Sequence, residues 1–254
     1  MKVVTLMENT ACREHLSFEH GLSLYIETQN HKILFDAGQS GAFADNAKKL
    51  GVDLRKVDFA VLSHGHYDHS GGLTKFLEMN EKAPVYVSSY AFEPHYSAKG
   101  YIGVDPALKD HARICYVAEE AKLAEGITLY RLDCAPVDTA GLQMEENGVR
   151  KPDDFRHEQY LLLEEKGKRT LISGCSHKGI LNIVDAFRPD ILIGGFHFMK
   201  IEEEDTLKAA AQKLLEYDTV YYTGHCTGKN QYEYLKTIMG EKLYYISAGT
   251  IQEF

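Results

Sequence analysis

The sequence predicts an α/β protein whose chemistry gathers in one crevice, and three observations carry that expectation. Short apolar runs rich in β-branched residues alternate with amphipathic stretches of helical period along the 254 residues. Four of those runs end in small residues followed at once by a potential metal ligand. No stretch is low in complexity or rich enough in Gly and Ser to read as a linker, and Pro numbers only 6, so residues 1–254 are expected to form one domain.

Buried strands are expected from Lys2 to Met7, Leu22 to Glu27, Lys32 to Phe35, Phe59 to Leu62, Val85 to Val87 and Ile127 to Leu132. Later strands run over Gln159 to Leu163, Thr170 to Ile172, Ile191 to Ile193, Val220 to Thr223 and Leu243 to Ile246. Amphipathic helices are expected over Phe43 to Leu50, Leu73 to Met79, Gly179 to Phe187, Glu203 to Tyr217 and Gln231 to Met239. The acidic run Glu202-Glu203-Glu204-Asp205 reads as the first turn of the fourth helix, where carboxylates favour the positive end of the dipole. Early hairpin-like strands followed by strand-helix alternation give the α/β class. Ser88 to Gly103 carries Tyr90, Phe92, His95, Tyr96, Lys99 and Tyr101, and reads either as a cover over substrate or as an ordinary packed loop.

Composition excludes several functions. The first apolar run stops at Glu8, too early for the core of a signal peptide, and no run approaches the roughly 20 apolar residues of a membrane span. A cytoplasmic protein that does not engage membrane is therefore expected. Five scattered cysteines, Cys12, Cys115, Cys134, Cys175 and Cys226, suit reduced thiols or metal ligands better than a disulfide framework. A net charge of -9 and a pI near 5.7 offer no basic face to a phosphate backbone, which argues against nucleic acid and leaves a small molecule as the expected partner.

The four strand endings read Val61-Leu62-Ser63-His64-Gly65-His66, Ile172-Ser173-Gly174-Cys175-Ser176-His177, Ile193-Gly194-Gly195-Phe196-His197 and Tyr222-Thr223-Gly224-His225-Cys226. In α/β sheets ligands collect outside the carboxyl ends of strands, so these endings are expected to converge. The densest stretch, His64-Gly65-His66-Tyr67-Asp68-His69, puts three imidazoles and a carboxylate into six residues. Its spacing lets His64 and His66 reach one ion while Asp68 and His69, further round the turn, face a second about 3.5 to 4 Å away. Gly65, Gly71 and Gly72 are expected to let the backbone bend close to the ions, and Ser70 to cap the helix beginning near Leu73. His15, His20, His31, His95 and His111 lie in no such setting and are expected in ordinary surface or packing roles. Cys226 reads as a buried thiol beside a ligand.

The segment Ser63 to Gly72 resembles the HxHxDH signature of the metallo-β-lactamase superfamily. The resemblance extends to Asp36, matching an early strand-end aspartate that supports the metal-binding loop, and to Gly224-His225, matching the last histidine ligand. Through Gly174 to Ile183 and Gly224 to Gly228 the chain is most similar to the group containing the archaeal dihydropterin ribofuranosylaminobenzene phosphate synthase. What this implies is an αββα sandwich, two mixed sheets flanked by helices, with His64, His66, Asp68, His69, Cys175 and His225 as metal ligands. Two departures accompany it. The further histidine that relatives supply has His157 or Glu158 as its counterpart here, and Cys175 stands where relatives usually place a carboxylate.

The reaction implied is metal-assisted hydrolysis of a small ester, lactone, amide or phosphoester by metal-bound hydroxide. Asp68 would orient the hydroxide, and His177 or His197 would stabilise charge or protonate the leaving group; His177 also reads as a ligand or a substrate-binding group. Zinc, as two divalent ions, suits a histidine-rich site with one thiolate, with manganese and iron competing. Three other readings stand beside it: a pterin-type condensing synthase, a non-catalytic metabolite sensor, and an iron redox enzyme resembling flavodiiron proteins. The last conflicts with His66, where those proteins carry glutamate.

Overall fold

The computed structural model describes residues 1–137 and 140–254. Among the described residues the chain forms eighteen strands and six α-helices. The first part contains β1 (Lys2–Met7), β2 (Ser23–Glu27), β3 (Lys32–Phe35), α1 (Ala42–Lys49), β4 (Phe59–Val61), α2 (Tyr67–Ser70), α3 (Leu73–Met79) and β5 (Val85–Ser88). Then follow β6 (His95–Ser97), β7 (Gly100–Tyr101), β8 (Ile114–Val117), β9 (Glu120–Ala124), β10 (Ile127–Arg131), β11 (Gln143–Glu146) and β12 (Val149–Pro152). The last part contains β13 (Gln159–Glu165), β14 (Lys168–Ile172), α4 (Ile180–Phe187), β15 (Ile191–Ile193), α5 (Glu204–Leu214), β16 (Val220–Thr223), α6 (Lys229–Met239), β17 (Leu243–Tyr245) and β18 (Ile251–Glu253).

Two seven-stranded sheets, ordered β18-β1-β2-β3-β4-β5-β8 and β17-β16-β15-β14-β13-β10-β9, make the body of the molecule. Each joins an antiparallel portion to a parallel run, β3-β4-β5-β8 in one and β14-β15-β16-β17 in the other. Side chains alternate along these strands between two dry environments, as the two-residue period requires. Ile33 and Phe35 of β3 meet Leu161 and Leu163 of β13 between the sheets, while Leu34 turns outward to the cluster holding Phe43 and Phe76 from α1 and α3. On the other side Tyr160, Leu162 and Leu192 turn outward to Ile183, Leu207 and Leu235 from α4, α5 and α6. Three apolar clusters thus separate four layers, helix-sheet-sheet-helix, which is the αββα class expected.

A third, four-stranded sheet, β12-β11-β6-β7, was not legible in the sequence. Its strands are short and polar, as in Val149-Arg150-Lys151-Pro152, and form by hairpin pairing rather than by burying an apolar face. The edge strands β9 and β18 escape notice for the same reason. Ser70 does not cap α3: it ends α2, where its hydroxyl donates to the His66 carbonyl at 2.9 Å, and Gly72 occupies the cap position. The glycines of the motif also have a packing role. A Cβ on Gly65, Gly71 or Gly72 would lie 2.1–2.3 Å from the carbonyl oxygen of Ala91, Gln39 or Ala37, so their smallness lets backbone pack on backbone.

Candidate metal centre

Strands β14, β15 and β16 are parallel neighbours, so the turns after them fall along one edge, facing the turn after β4. The backbone is forced there. Of nine non-glycine residues with positive φ among those described, Asp36, Phe155, Ser176, His197 and His225 lie at or beside this edge. Such conformations cost of order 1–3 kcal/mol each and persist where the surroundings over-determine them.

His64, His66 and His177 bring ligand-type nitrogens within 4.8 Å of one another, all three residues being buried. Their ring centroids stand 4.6, 4.9 and 5.1 Å apart. His64 Nε2, His66 Nε2 and both ring nitrogens of His177 are buried without a hydrogen-bond partner. Such orphaned atoms are costly unless something else satisfies them. Burial, reinforced by the neighbouring imidazoles, pushes all three well below the ordinary histidine range. They are neutral at pH 7 and offer lone pairs.

Beside this trio lie Asp68, His69, Cys175 and His225. His69 Nε2 stands 3.2 Å from Cys175 Sγ and 3.1 Å from His225 Nε2, and Asp68 Oδ2 is 3.2 Å from His225 Nε2 and 3.7 Å from His69 Nε2. His64 joins His69 and Cys175 within the same 4.8 Å limit and so bridges the two groups. Burial alone would raise the Asp68 carboxyl, but His69 and His225 hold it well below the usual carboxylate range. Burial would likewise lower His69, yet Asp36 and Asp68 outweigh it and raise it to about 9. The Cys175 thiol is pushed well above its usual range by burial and by Cys226.

The groups behind these side chains fix their tautomers. Ser63 donates its backbone amide and its hydroxyl to Asp36 at 2.7 Å each, so its oxygen is left to accept from His64 Nδ1 at 2.8 Å. Asp36 also accepts from His69 Nδ1 at 2.6 Å, and Asn9 Oδ1 from His225 Nδ1 at 2.9 Å. Nδ1 is thus the donor in all three rings and Nε2 the nitrogen each turns toward the centre, a lone pair in His69 once that ring has given up its second proton. Asp36 thus stands where the sequence put it. Glu8, which accepts from the His225 amide at 2.6 Å, and Asn9 were missed, because each acts through an ordinary hydrogen bond with no motif around it; Ser63 stands inside the motif, but its supporting role is not one the ligand pattern marks. Glu158 accepts from the His177 and Lys178 amides at 2.8 and 3.0 Å and from the Tyr160 hydroxyl at 2.5 Å, so both oxygens are committed to holding the turn before α4. His157 Nδ1 accepts from the Gly65 amide at 2.8 Å.

Two histidines assigned ordinary roles are placed otherwise. His20 stands 3.4 Å from Asp68 with its ring tilted against that of His225, centroids 4.8 Å apart, and His95 is fully buried beside Asp153 and the ring of His157. His20 comes from a loop and His95 opens β6, both distant in sequence from the motif, and periodicity and local spacing cannot connect them to it. Cys226 is buried beside Cys175, its thiol 3.5 Å from the Cys175 carbonyl. A pocket of about 390 Å³ opens over the group, lined by His66, Asp68, Cys175, His177, His197 and His20, with Lys99 and Lys200 among the other lining residues. Ser97, Ala98, Lys99 and Ile102 of the aromatic-rich insertion line it as well, so the insertion borders the site. The His197 ring lies 4.3 Å from that of His177.

Residues 16–225 match the family model of the metallo-beta-lactamase superfamily. The uncharacterized protein MJ0448 of Methanocaldococcus jannaschii is 32% identical over 241 residues, which cover 88% of this chain and 89% of that protein. The 7,8-dihydropterin-6-methyl-4-(beta-D-ribofuranosyl)-aminobenzene-5'-phosphate synthase of the same organism is 28% identical, with 100% and 97% coverage. The crystal structure of Tm1679, a metal-dependent hydrolase of the beta-lactamase superfamily, is similar over 100% of this chain and 99% of that one, with a TM-score of 0.84 and 28% identity.

Proposed function

This chain belongs to the metallo-beta-lactamase superfamily, and on that premise we propose that it is a metal-dependent hydrolase of a small ester, lactone, amide or phosphoester. The observation that carries the reading is the set of buried, partnerless nitrogens on His64 and His177, with His66 within 4.8 Å of both and the Asp68-His69-Cys175-His225 group beside them, under one pocket that His66, Asp68, Cys175 and His177 line. His64, His66 and His177 would hold one divalent ion, and Asp68, His69, Cys175 and His225 a second. His177 is assigned to the ion rather than to proton transfer because both its nitrogens lack partners and it is neutral. Three imidazoles favour zinc, and the thiolate of Cys175 softens the second position. Bound divalent metal supplies a Lewis acid and a water acidified to a pKa near about 7.

The chain's own residues supply the rest. Asp68, ionised at neutral pH, orients the attacking water, and His197 at the pocket wall protonates the leaving group. A pocket of about 390 Å³ admits a small molecule. Among the described residues no helix is long and apolar enough to cross a membrane. The test is turnover of nitrophenyl esters, a lactone and a phosphodiester by zinc- and manganese-loaded protein. Turnover abolished by chelator and by Asp68→Asn is expected; tight binding of metabolites with no turnover would replace the hydrolase with a sensor.

A second reading, a condensing synthase, is favoured by the 28% identity to the dihydropterin synthase along the whole chain. Anion release from a phosphorylated pterin-type donor that depends on an aryl partner would select it over hydrolysis.

A further inference from the structure

Asp153 is fully buried behind the loop that carries His64 and His66. Its Oδ2 lies 2.9 Å from His95 Nδ1 and 3.4 Å from His157 Nε2, and its Oδ1 accepts from the Phe155 amide at 2.8 Å. Protons can be placed on this group from chemistry alone. An amide only donates, so His157 Nδ1, which faces the Gly65 amide at 2.8 Å, is unprotonated, and the His157 proton sits on Nε2, toward Asp153. A carboxylate only accepts, so His95 carries its proton on Nδ1. Burial would raise the Asp153 carboxyl, but His157 and His95 hold it well below the usual range, in keeping with an ionised acceptor.

One lone pair is left over. His95 Nε2 is buried with no hydrogen-bond partner, and so is Nε2 of His66, whose ring lies 5.6 Å away in T-shaped contact; His157 Nε2 makes no hydrogen bond either but faces Asp153 Oδ2 as an ion-pair partner at 3.4 Å. The four residues bring ligand-type atoms within 4.8 Å of one another. No hydrogen bond joins Nε2 of His66 to Nε2 of His95 in the structure; a small approach that let His66 donate from Nε2 to His95 Nε2 would satisfy both atoms and free His66 Nδ1 as a lone pair.

We propose that Asp153, His95 and His157 form a positioning assembly for the first ion's ligands: His157 holds the Gly65 amide, and His95, oriented by Asp153, fixes the tautomer and direction of His66. This does for His66 what Asp36 does for His69, and each half of the centre then has its own buried aspartate. The inference rests on the metal-centre reading above. The cluster is not a third metal site, because an ion on His157 Nε2 would require that ring to lose both protons while still accepting from Gly65.

The test is zinc affinity of the wild type, His95→Gln and Asp153→Asn by chelator competition, with the absorption spectrum of the cobalt-substituted proteins as a second readout. Both variants are expected to weaken one ion about 10- to 100-fold while the other holds within about threefold, and to alter the cobalt bands of that ion alone. Where Asp153→Asn fails to fold, His95→Gln, which leaves the Phe155 and His157 contacts in place, decides. Wild-type affinity in the variants overturns the proposal, as does weakening of both ions in equal measure, which marks a merely structural role. A third ion bound by the wild type and lost from the variants also overturns it. A wild type that binds no metal would sink the metal-centre reading itself, a result distinct from all of these.

Discussion

Glu158→Gln replaces one buried carboxylate oxygen with an amide nitrogen and leaves shape unchanged, so it tests whether this side chain clamps the turn before α4 or ligates metal. Glutamate serves the His177 amide through Oε1 and both the Lys178 amide and the Tyr160 hydroxyl through Oε2. Glutamine keeps one acceptor. With its oxygen toward Lys178 and Tyr160, its amide group faces the His177 N–H, donor against donor. A buried donor left unsatisfied costs about 1–3 kcal/mol, and loss of charge assistance from the remaining bonds brings the sum to about 2–4 kcal/mol. Burial pushes the Glu158 carboxyl above its ordinary range despite these donors, so the easier desolvation of an amide offsets part of the loss and sets the expectation near about 2 kcal/mol. For a chain of this size that is a fall in melting temperature of about 4–8 °C. Denaturant unfolding with parallel zinc titration measures both quantities. The expected result is lower stability with the number of bound ions unchanged. Unchanged stability with an ion lost would refute the clamp and make Glu158 a ligand.

Cys175→Ser should weaken the second ion far more than the first, and Cys175→Asp should restore it with a shift toward manganese; metal titration that finds both ions unaffected in Cys175→Ser would reduce Cys175 to a packing thiol. Loading the second position should release about two protons near pH 7.5, since His69 is protonated up to about 9 and Cys175 is a thiol, whereas the neutral trio of His64, His66 and His177 should release none. Calorimetry in buffers of different ionisation heat reads this directly, and no buffer dependence would contradict it. Because His69 is raised from 6.5 to about 9, its contribution to the stability of metal-free protein should be full below about pH 6.5 and lost as pH rises through about 9. Asn46→Ala should cost about 2–4 kcal/mol in denaturant unfolding without changing metal binding, because the buried amide bonds the Leu6 and Ser17 carbonyls and the Ser17 amide at 2.7–2.9 Å and none of these residues lines the pocket.

The sandwich was legible because the central strands of the two large sheets are buried on both faces, and an apolar run such as Ile33-Leu34-Phe35 leaves its mark whichever way it turns. The small sheet left no such mark, since residues like Glu145 and Arg150 pair across a hairpin in partial exposure. At the centre, His64 to His69, Cys175 and His225 follow strand ends and could be read locally. Asp153 and His157 lie four residues apart, but His95 meets them only in three dimensions, from 58 and 62 residues away in the chain, and no local period or spacing joins it to them. The same holds for Glu8 and Asn9, which reach His225 across more than two hundred residues.

Whether this group of side chains holds metal is tested most directly by elemental analysis of protein purified without added metal, followed by zinc titration of the chelator-treated sample. One to two transition-metal ions per chain, with His66→Ala losing an ion while remaining folded, is the result predicted. No metal as purified and no binding on titration would contradict it.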